Sequence, residues 1–245
     1  MATDIAPEIY DAIRADFEAG VRGDKGISSK VKKIYAGKGT QNDVASIANR
    51  FGVHASNAMK RNLILDALPN KTLYWNIAEK TIKPALMMAN DNIVGYARLM
   101  MGQVDRQTGL RIGILTGGNP EERIRQVMQM AVNSMTQEQL NNALTDPVIT
   151  ANRKFFDDFQ KENARLRDEM GLTETVVRVY DGRGLHNGKD PCQWCIDREG
   201  VWSYKDAVQN GVFERHPGCG CRIEFHTEND RRIQTDWTSN QWQEF

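Results

Sequence analysis

Apolar residues recur at helical spacing through the first two thirds of the chain and at strand spacing after it. Ile124, Val127, Met128 and Ala131 make one helix face, entered by Asn119 at the cap, Pro120 at the first helical position and Glu122 behind it. Thr136 repeats the device, with Gln139 three residues on and Leu140 and Leu144 as the stripe; Pro147 is expected to stop that helix. A long Met-rich pattern over 72–108 (Leu86, Met87, Ile93, Val94, Ala97, Leu99, Met100) predicts a helix kinked or broken at Pro84. Its methionines read as packing rather than as a soft-metal box. A further helix over 151–170 carries Phe155, Phe156, Phe159, Leu166 and Met170 and ends at Gly171.

Beyond Gly171 the period changes. The β-branched run from Thr173 to Tyr180 predicts a strand, broken by the glycines around Asp181 to Gly184. Shorter strands are expected at Gly200 to Tyr204 and Arg222 to His226, with a short helix between them that Gly211 ends. The expected fold is therefore α+β: a mainly helical body over 1–171, a small β-rich module over 172–226, and a polar tail over 227–245 whose apolar content is Trp237, Trp242 and Phe245. No internal repeat or low-complexity linker interrupts this.

At 245 residues the chain has length enough for one or two domains, and 40% hydrophobic with 26% charged residues excludes a disordered composition. Lys+Arg and Asp+Glu balance at 32 each, so attraction to nucleic acid or an anionic membrane would have to be local. The most basic stretch holds Arg22, Lys25, Lys30, Lys32, Lys33 and Lys38, opposed within it only by Asp24 and preceded by Asp4, Glu8, Asp11, Asp16 and Glu18. Lys30, Lys32 and Lys33 are the candidate phosphate contacts, against the plainer reading of a solvated helix face. His54, beside Phe51 and Val53, reads as an ordinary half-buried histidine. The first residues lack the basic and apolar segments of a secretory signal, and no apolar run approaches the roughly 20 residues a membrane span needs. Synthesis in a cytoplasm is the expectation.

Chemistry concentrates in one window. All four cysteines lie there: Cys192-x2-Cys195, then the run His216-Pro-Gly-Cys219-Gly-Cys221. A CxxC turn can present two thiolates to one ion, and a second close pair can complete the tetrahedral shell of a structural zinc site. Five candidates, Cys192, Cys195, His216, Cys219 and Cys221, compete for four positions. Cys219 and Cys221 could form the second pair with Gly220 giving room, or His216 and Cys219 could, leaving one group outside. Such a shell leaves no position for water, which argues for a structural ion. The competing readings are a disulfide-bonded loop and free thiols, and a cytoplasmic setting favours the metal over both. Trp194, Trp202 and Tyr204 read as this module's small core rather than a base-stacking surface. His186-Asn187 ahead of a CxxC brings an HNH nuclease to mind, but the second CxxC and a metal-binding histidine pair are missing.

In order along the chain stand Glu162 to Leu172 ending a helix, Val176-Val177-Arg178, Cys192-Gln193-Trp194-Cys195, Glu199-Gly200-Val201-Trp202-Ser203-Tyr204, and Phe213-Glu214-Arg215-His216-Pro217-Gly218-Cys219-Gly220-Cys221. This string resembles the minor head proteins of tailed bacteriophages, the Mu F-like head-morphogenesis family, in the versions carried by phages and prophages of Firmicutes. The match is specific from Glu162 onward and looser upstream, where Leu110 to Ile114 before the Asn119 cap is also compatible. It departs at Gly220, where many relatives carry Arg. The resemblance implies a structural, non-enzymatic protein of the phage head near the portal, acting in head assembly and in DNA packaging or ejection. Its partners would be the portal or major capsid protein, with packaged DNA close by and no membrane. The alternative class is a zinc-containing DNA-binding protein using Lys30, Lys32 and Lys33. An enzyme, whether a nuclease or the ADP-ribosyltransferase fused to some relatives, ranks lower, because only about 24 residues follow Cys221.

Overall fold

The computed structural model describes residues 4–172, 174–180 and 192–227. The helices are α1 (Ala6–Gly23), α2 (Lys25–Tyr35), α3 (Gln41–Asn62), α4 (Trp75–Thr108), α5 (Glu121–Val132), α6 (Gln137–Ala143), α7 (Asp146–Glu169), α8 (Gln193–Ile196) and α9 (Tyr204–Gln209). The strands are β1 (Glu174–Val179), β2 (Gly200–Ser203) and β3 (Arg222–Thr227), forming one antiparallel sheet in the order β2-β1-β3. The fold is α+β, as the periodicities predict. His186, Asn187, the glycine break from Asp181 to Gly184, and Trp237, Trp242 and Phe245 of the tail lie outside the described residues.

Local chemistry sets most boundaries. The Asn119 side chain accepts from the Glu121 amide at 2.9 Å, and Thr136 accepts from the Gln139 amide at 3.1 Å while Gln139 reaches back to the Met135 amide at 2.9 Å. Thr40 and Asp43 form a reciprocal capping box at the start of α3. Asp24 caps α2 and also receives Arg50 (3.0 Å) and His54 (2.9 Å) from α3. Partial burial pushes the Asp24 carboxyl upward, but these hydrogen bonds from His54, the Ile27 amide and Arg50 win and hold it at about 2. His54 is thus half-buried with a structural partner, as expected.

One proline reading needs correction, and a second is narrowed. α4 continues through Pro84, so the helix is not broken there. The ring removes one N–H, and the carbonyl it orphans belongs to Lys80, an exposed residue whose carbonyl water can satisfy. Pro147 starts a helix rather than stopping one: α6 has already ended at Ala143, and Pro147 sits in the first turn of α7, where its missing N–H costs nothing. α7 consequently begins at Asp146, not near 151. Gly171 ends it with φ +79° and Gly211 follows α9 with φ +63°, both as expected.

α3 and α7 cross closely at the centre of the body. A Cβ on Gly52 would stand 2.7 Å from the Ile149 Cα, a backbone atom that cannot move aside. Gly52→Ala should therefore destabilise by about 1–3 kcal/mol in chemical denaturation, although alanine is the better helix former. Gly95→Ala, with open space around it, should gain up to about 1 kcal/mol by propensity alone. Equal effects at the two positions would remove the close-crossing account.

The sheet is not separately cored. Val176, Ile223, Phe225, Val212 and Phe213 join the hydrophobic cluster that contains Phe51, Met59, Leu86, Phe156 and Phe159 of the helices. Buried polar groups fix the orientation. Gln41 of α3 donates to the Phe225 carbonyl (2.6 Å) and accepts its amide (3.0 Å), and Gln160 of α7 donates to both Gln41 and the Ile223 carbonyl at 2.7 Å. Arg167, wholly buried, pairs with Asp105 of α4 at 2.6 Å and lies over the Phe225 ring. Three elements distant in sequence thus meet at one end of β3.

Candidate metal centre

The five predicted ligands converge at the end of the sheet nearest α7. Two overlapping groups have donor atoms within 4.8 Å of one another: Cys192, Cys195 and His216, and Cys195, Cys219 and Cys221. Cys195 belongs to both. Its Sγ lies 3.1 Å from His216 Nε2 and 3.7 Å from Cys219 Sγ, and Cys192 Sγ lies 3.3 Å from the same imidazole nitrogen. A tetrahedral ion with metal–sulfur bonds near 2.3 Å needs about 3.8 Å between thiolates and slightly less from thiolate to imidazole nitrogen. The spacing and the donor chemistry therefore fit a metal ion. All four thiols are free, and 3.7 Å is far from the roughly 2.05 Å of a disulfide.

Each ligand is placed by local structure. Cys192 caps the single turn α8, so that Cys195 one turn later faces the same point. The Cys219 amide bonds back to the His216 carbonyl at 3.1 Å, and Gly218 in the left-handed region (φ +79°) folds the His216 to Cys219 turn inward. His216 Nδ1 lies 2.8 Å from the Pro217 carbonyl, leaving Nε2 aimed at the thiols. Trp194 meets the His216 ring edge-on at 5.4 Å and is flanked by the guanidinium groups of Arg178 and Arg198 at 5.0 and 4.0 Å. Trp202 and Tyr204 pack instead against the main core, so the three aromatics do not form one cluster.

Sequence reasoning missed the shell around the thiols. Arg215, beside His216, is buried and forms a two-pronged pair with Asp157 of α7, one prong at 3.0 Å; it also donates to the Cys221 carbonyl at 2.7 Å and lies 3.9 Å from Cys219 Sγ. Arg153 donates to the Cys219 carbonyl, and the Gly218 amide to Thr150 Oγ1 at 3.3 Å. Lys154, 2% exposed, bonds the Phe213 carbonyl at 2.9 Å and pairs with Asp158 and Glu214. One face of α7 is thus a polar cradle for the 212–221 loop. A warning was present in the sequence: charges at Lys154, Asp157 and Arg178 occupy positions whose helix or strand period points inward.

The thiols titrate apart. A hydrogen bond from Cys221, helped by Arg215 and Arg178, draws Cys219 down to about 4 against its burial. Burial, with the Cys219 charge, pushes Cys195 up to about 11, and the hydrogen bond to Cys219 holds Cys221 well above an ordinary thiol. An ion bound near neutrality by these sulfurs would therefore have to displace the Cys195 and Cys221 protons.

The basic residues of α2 divide. Lys30 and Lys33 reach Asp43 at 3.5 and 3.9 Å, so the stretch is opposed by Asp43, not by Asp24, which is engaged with Arg50 and His54. Lys32 has no ion-pair partner among the described residues, nor have Lys25 and Lys38, and these three with Lys33, Ser28 and Ser29 line an open surface groove. Of the expected contacts Lys30, Lys32 and Lys33, the groove is lined by Lys32 and Lys33, with Lys25 and Lys38 beside them. Among the described residues no helix is long and apolar enough to cross a membrane. The chain matches no family model, no curated protein and no solved structure.

Proposed function

We propose that the chain is a structural minor head protein of a tailed bacteriophage, placed in the head near the portal, without catalytic activity, and holding one structural zinc ion. One observation carries this reading. The segment that bears the family resemblance, Cys192 to Cys221, closes on itself as a thiol and imidazole cluster and is clamped to α7. A shell of four protein ligands, either three thiolates with His216 or four thiolates, would hold the loop in place and would leave no position for an activated water. Zinc suits the mixed thiolate and imidazole set. The helical body then supplies contacts to portal or major capsid protein.

The test is location and metal together. A tagged copy in the producing phage should be recovered with portal-containing heads, including heads empty of DNA, and purified chain should carry about one zinc per molecule by elemental analysis. Absence from empty heads would count against the portal placement, and metal-free protein prepared without chelator would remove the zinc.

A second reading, a DNA-binding protein, is favoured by Lys25, Lys32 and Lys38 around the α2 groove, which have no ion-pair partner among the described residues. It requires DNA affinity that falls steeply with salt, by roughly one power of salt concentration per phosphate contacted, and that Lys32→Glu diminishes. A flat salt dependence would dismiss it.

A further inference from the structure

Arg178 is a fully buried cation at the end of β1, and no carboxylate pairs with it among the described residues. In this it stands apart from the other sequestered cations: Arg167 faces Asp105, Arg215 faces Asp157, and Lys154 faces Asp158 and Glu214. The register explains why it is inside. Arg178 pairs with Gly200 and Ile223, as Val176 pairs with Trp202 and Phe225, so the alternation that buries Val176 also buries Arg178. Its Nη1 donates to the carbonyls of Val212 and Glu214, the latter at 2.8 Å. Its Nη2 is turned to sulfur, 3.5 Å from Cys219 and 3.9 Å from Cys195, and the guanidinium lies over the Trp194 ring at 5.0 Å.

A lone guanidinium in a protein interior is strongly disfavoured unless an anion meets it. Among the described residues, the groups around Arg178 able to carry that negative charge are the two thiols. A divalent ion bound by three thiolates and a neutral imidazole has net charge −1, and by four thiolates −2; Arg178 cancels one unit in either case. We propose that Arg178 is the counter-cation of the metal–thiolate centre, a positioning residue whose Nη2, within reach of the Cys219 and Cys195 sulfurs, orients both toward the ion. The inference rests on the zinc reading above. It also couples the buried cation to the thiolates: among the described residues no carboxylate pairs with Arg178, and Arg215, the other guanidinium near Cys219 Sγ at 3.9 Å, is already paired with Asp157.

Zinc competition with a chromophoric chelator, on the full chain, tests it. Arg178→Gln keeps a donor for the carbonyls but not the charge, and should lower zinc affinity about 10- to 100-fold, the usual cost of losing a supporting contact behind a ligand. Arg178→Lys restores the charge and should recover affinity to within several-fold of wild type. In the cobalt-substituted chain, loss of the N–H···S bonds in Arg178→Gln should shift the sulfur-to-metal charge-transfer band to lower energy, a change that a mere strut for Val212 and Glu214 would not produce. A folded Arg178→Gln chain with wild-type affinity and an unmoved band overturns the counter-cation role while leaving the zinc reading intact. Wild-type protein without metal overturns both. If Arg178→Gln does not fold, Arg178→Lys decides: retained affinity supports the role of charge, and a loss of tenfold or more in folded protein overturns it.

Discussion

Cys195→Ser is expected to abolish tight metal binding and to unravel the sheet end of the chain, whereas Cys192→Ser weakens binding and leaves that end folded at saturating zinc. The difference follows from position. Cys195 is the thiol common to both donor groups and is 1% exposed, while Cys192 belongs to one group and is half-buried. Replacing a ligand should cost more than the 10- to 100-fold typical of a supporting residue, so an affinity loss beyond about 100-fold is predicted for Cys195→Ser. The folding free energy of the loop falls with it, because metal binding and folding are one event in such a site. Chelator competition gives the first quantity, and hydrogen exchange of β1 and β3 amides gives the second. A Cys195→Ser chain with full zinc content and protected strands would remove the assignment.

Asp157→Ala should be the most destabilising single change outside the cluster. It strands the Arg215 guanidinium, whose side chain is 3% exposed, in a dry site between α7 and the 219–221 turn. Breaking a buried pair from one side costs about 3–5 kcal/mol, which for a chain of this size lowers the melting temperature by roughly 6–20 °C. Asp157→Leu with Arg215→Met removes both charges and should return most of that loss, since an apolar pair of similar volume pays no desolvation. A single variant within about 1 kcal/mol of wild type would show that water reaches Arg215. Zinc affinity should fall in the single variant as well, because Arg215 also holds the Cys221 carbonyl.

The elements were legible wherever period and cap agreed. Asn119, Thr136, Gly171 and Gly211 each mark a real boundary, because those signals are satisfied within a few residues of themselves. The prolines were less legible for the complementary reason. Whether Pro84 breaks a helix depends on whether the orphaned carbonyl reaches water, and whether Pro147 ends one helix or opens the next depends on packing that a local window does not contain. The ligands were legible as a set because metal spacing is local. Their support was not: Asp157 and Arg215 are 58 residues apart, and Arg178 and Cys219 are 41 apart. A charged residue at an inward position signals that a partner exists without saying which one. Likewise the separation of Lys32 from Lys30 and Lys33 depends on Asp43, which reaches α2 only through the turn into α3.

The glutamine clasp between Gln41 and Phe225 spans 184 residues of chain. On a ribosome extending at about 5–20 residues per second, Gln41 emerges roughly 10–40 s before its partner strand exists. During that interval the Gln41 amide lacks the strand it grips, and the places that Ile223 and Phe225 take in the shared core stand unfilled. The helical body is thus held in its final register only once β3 has been made.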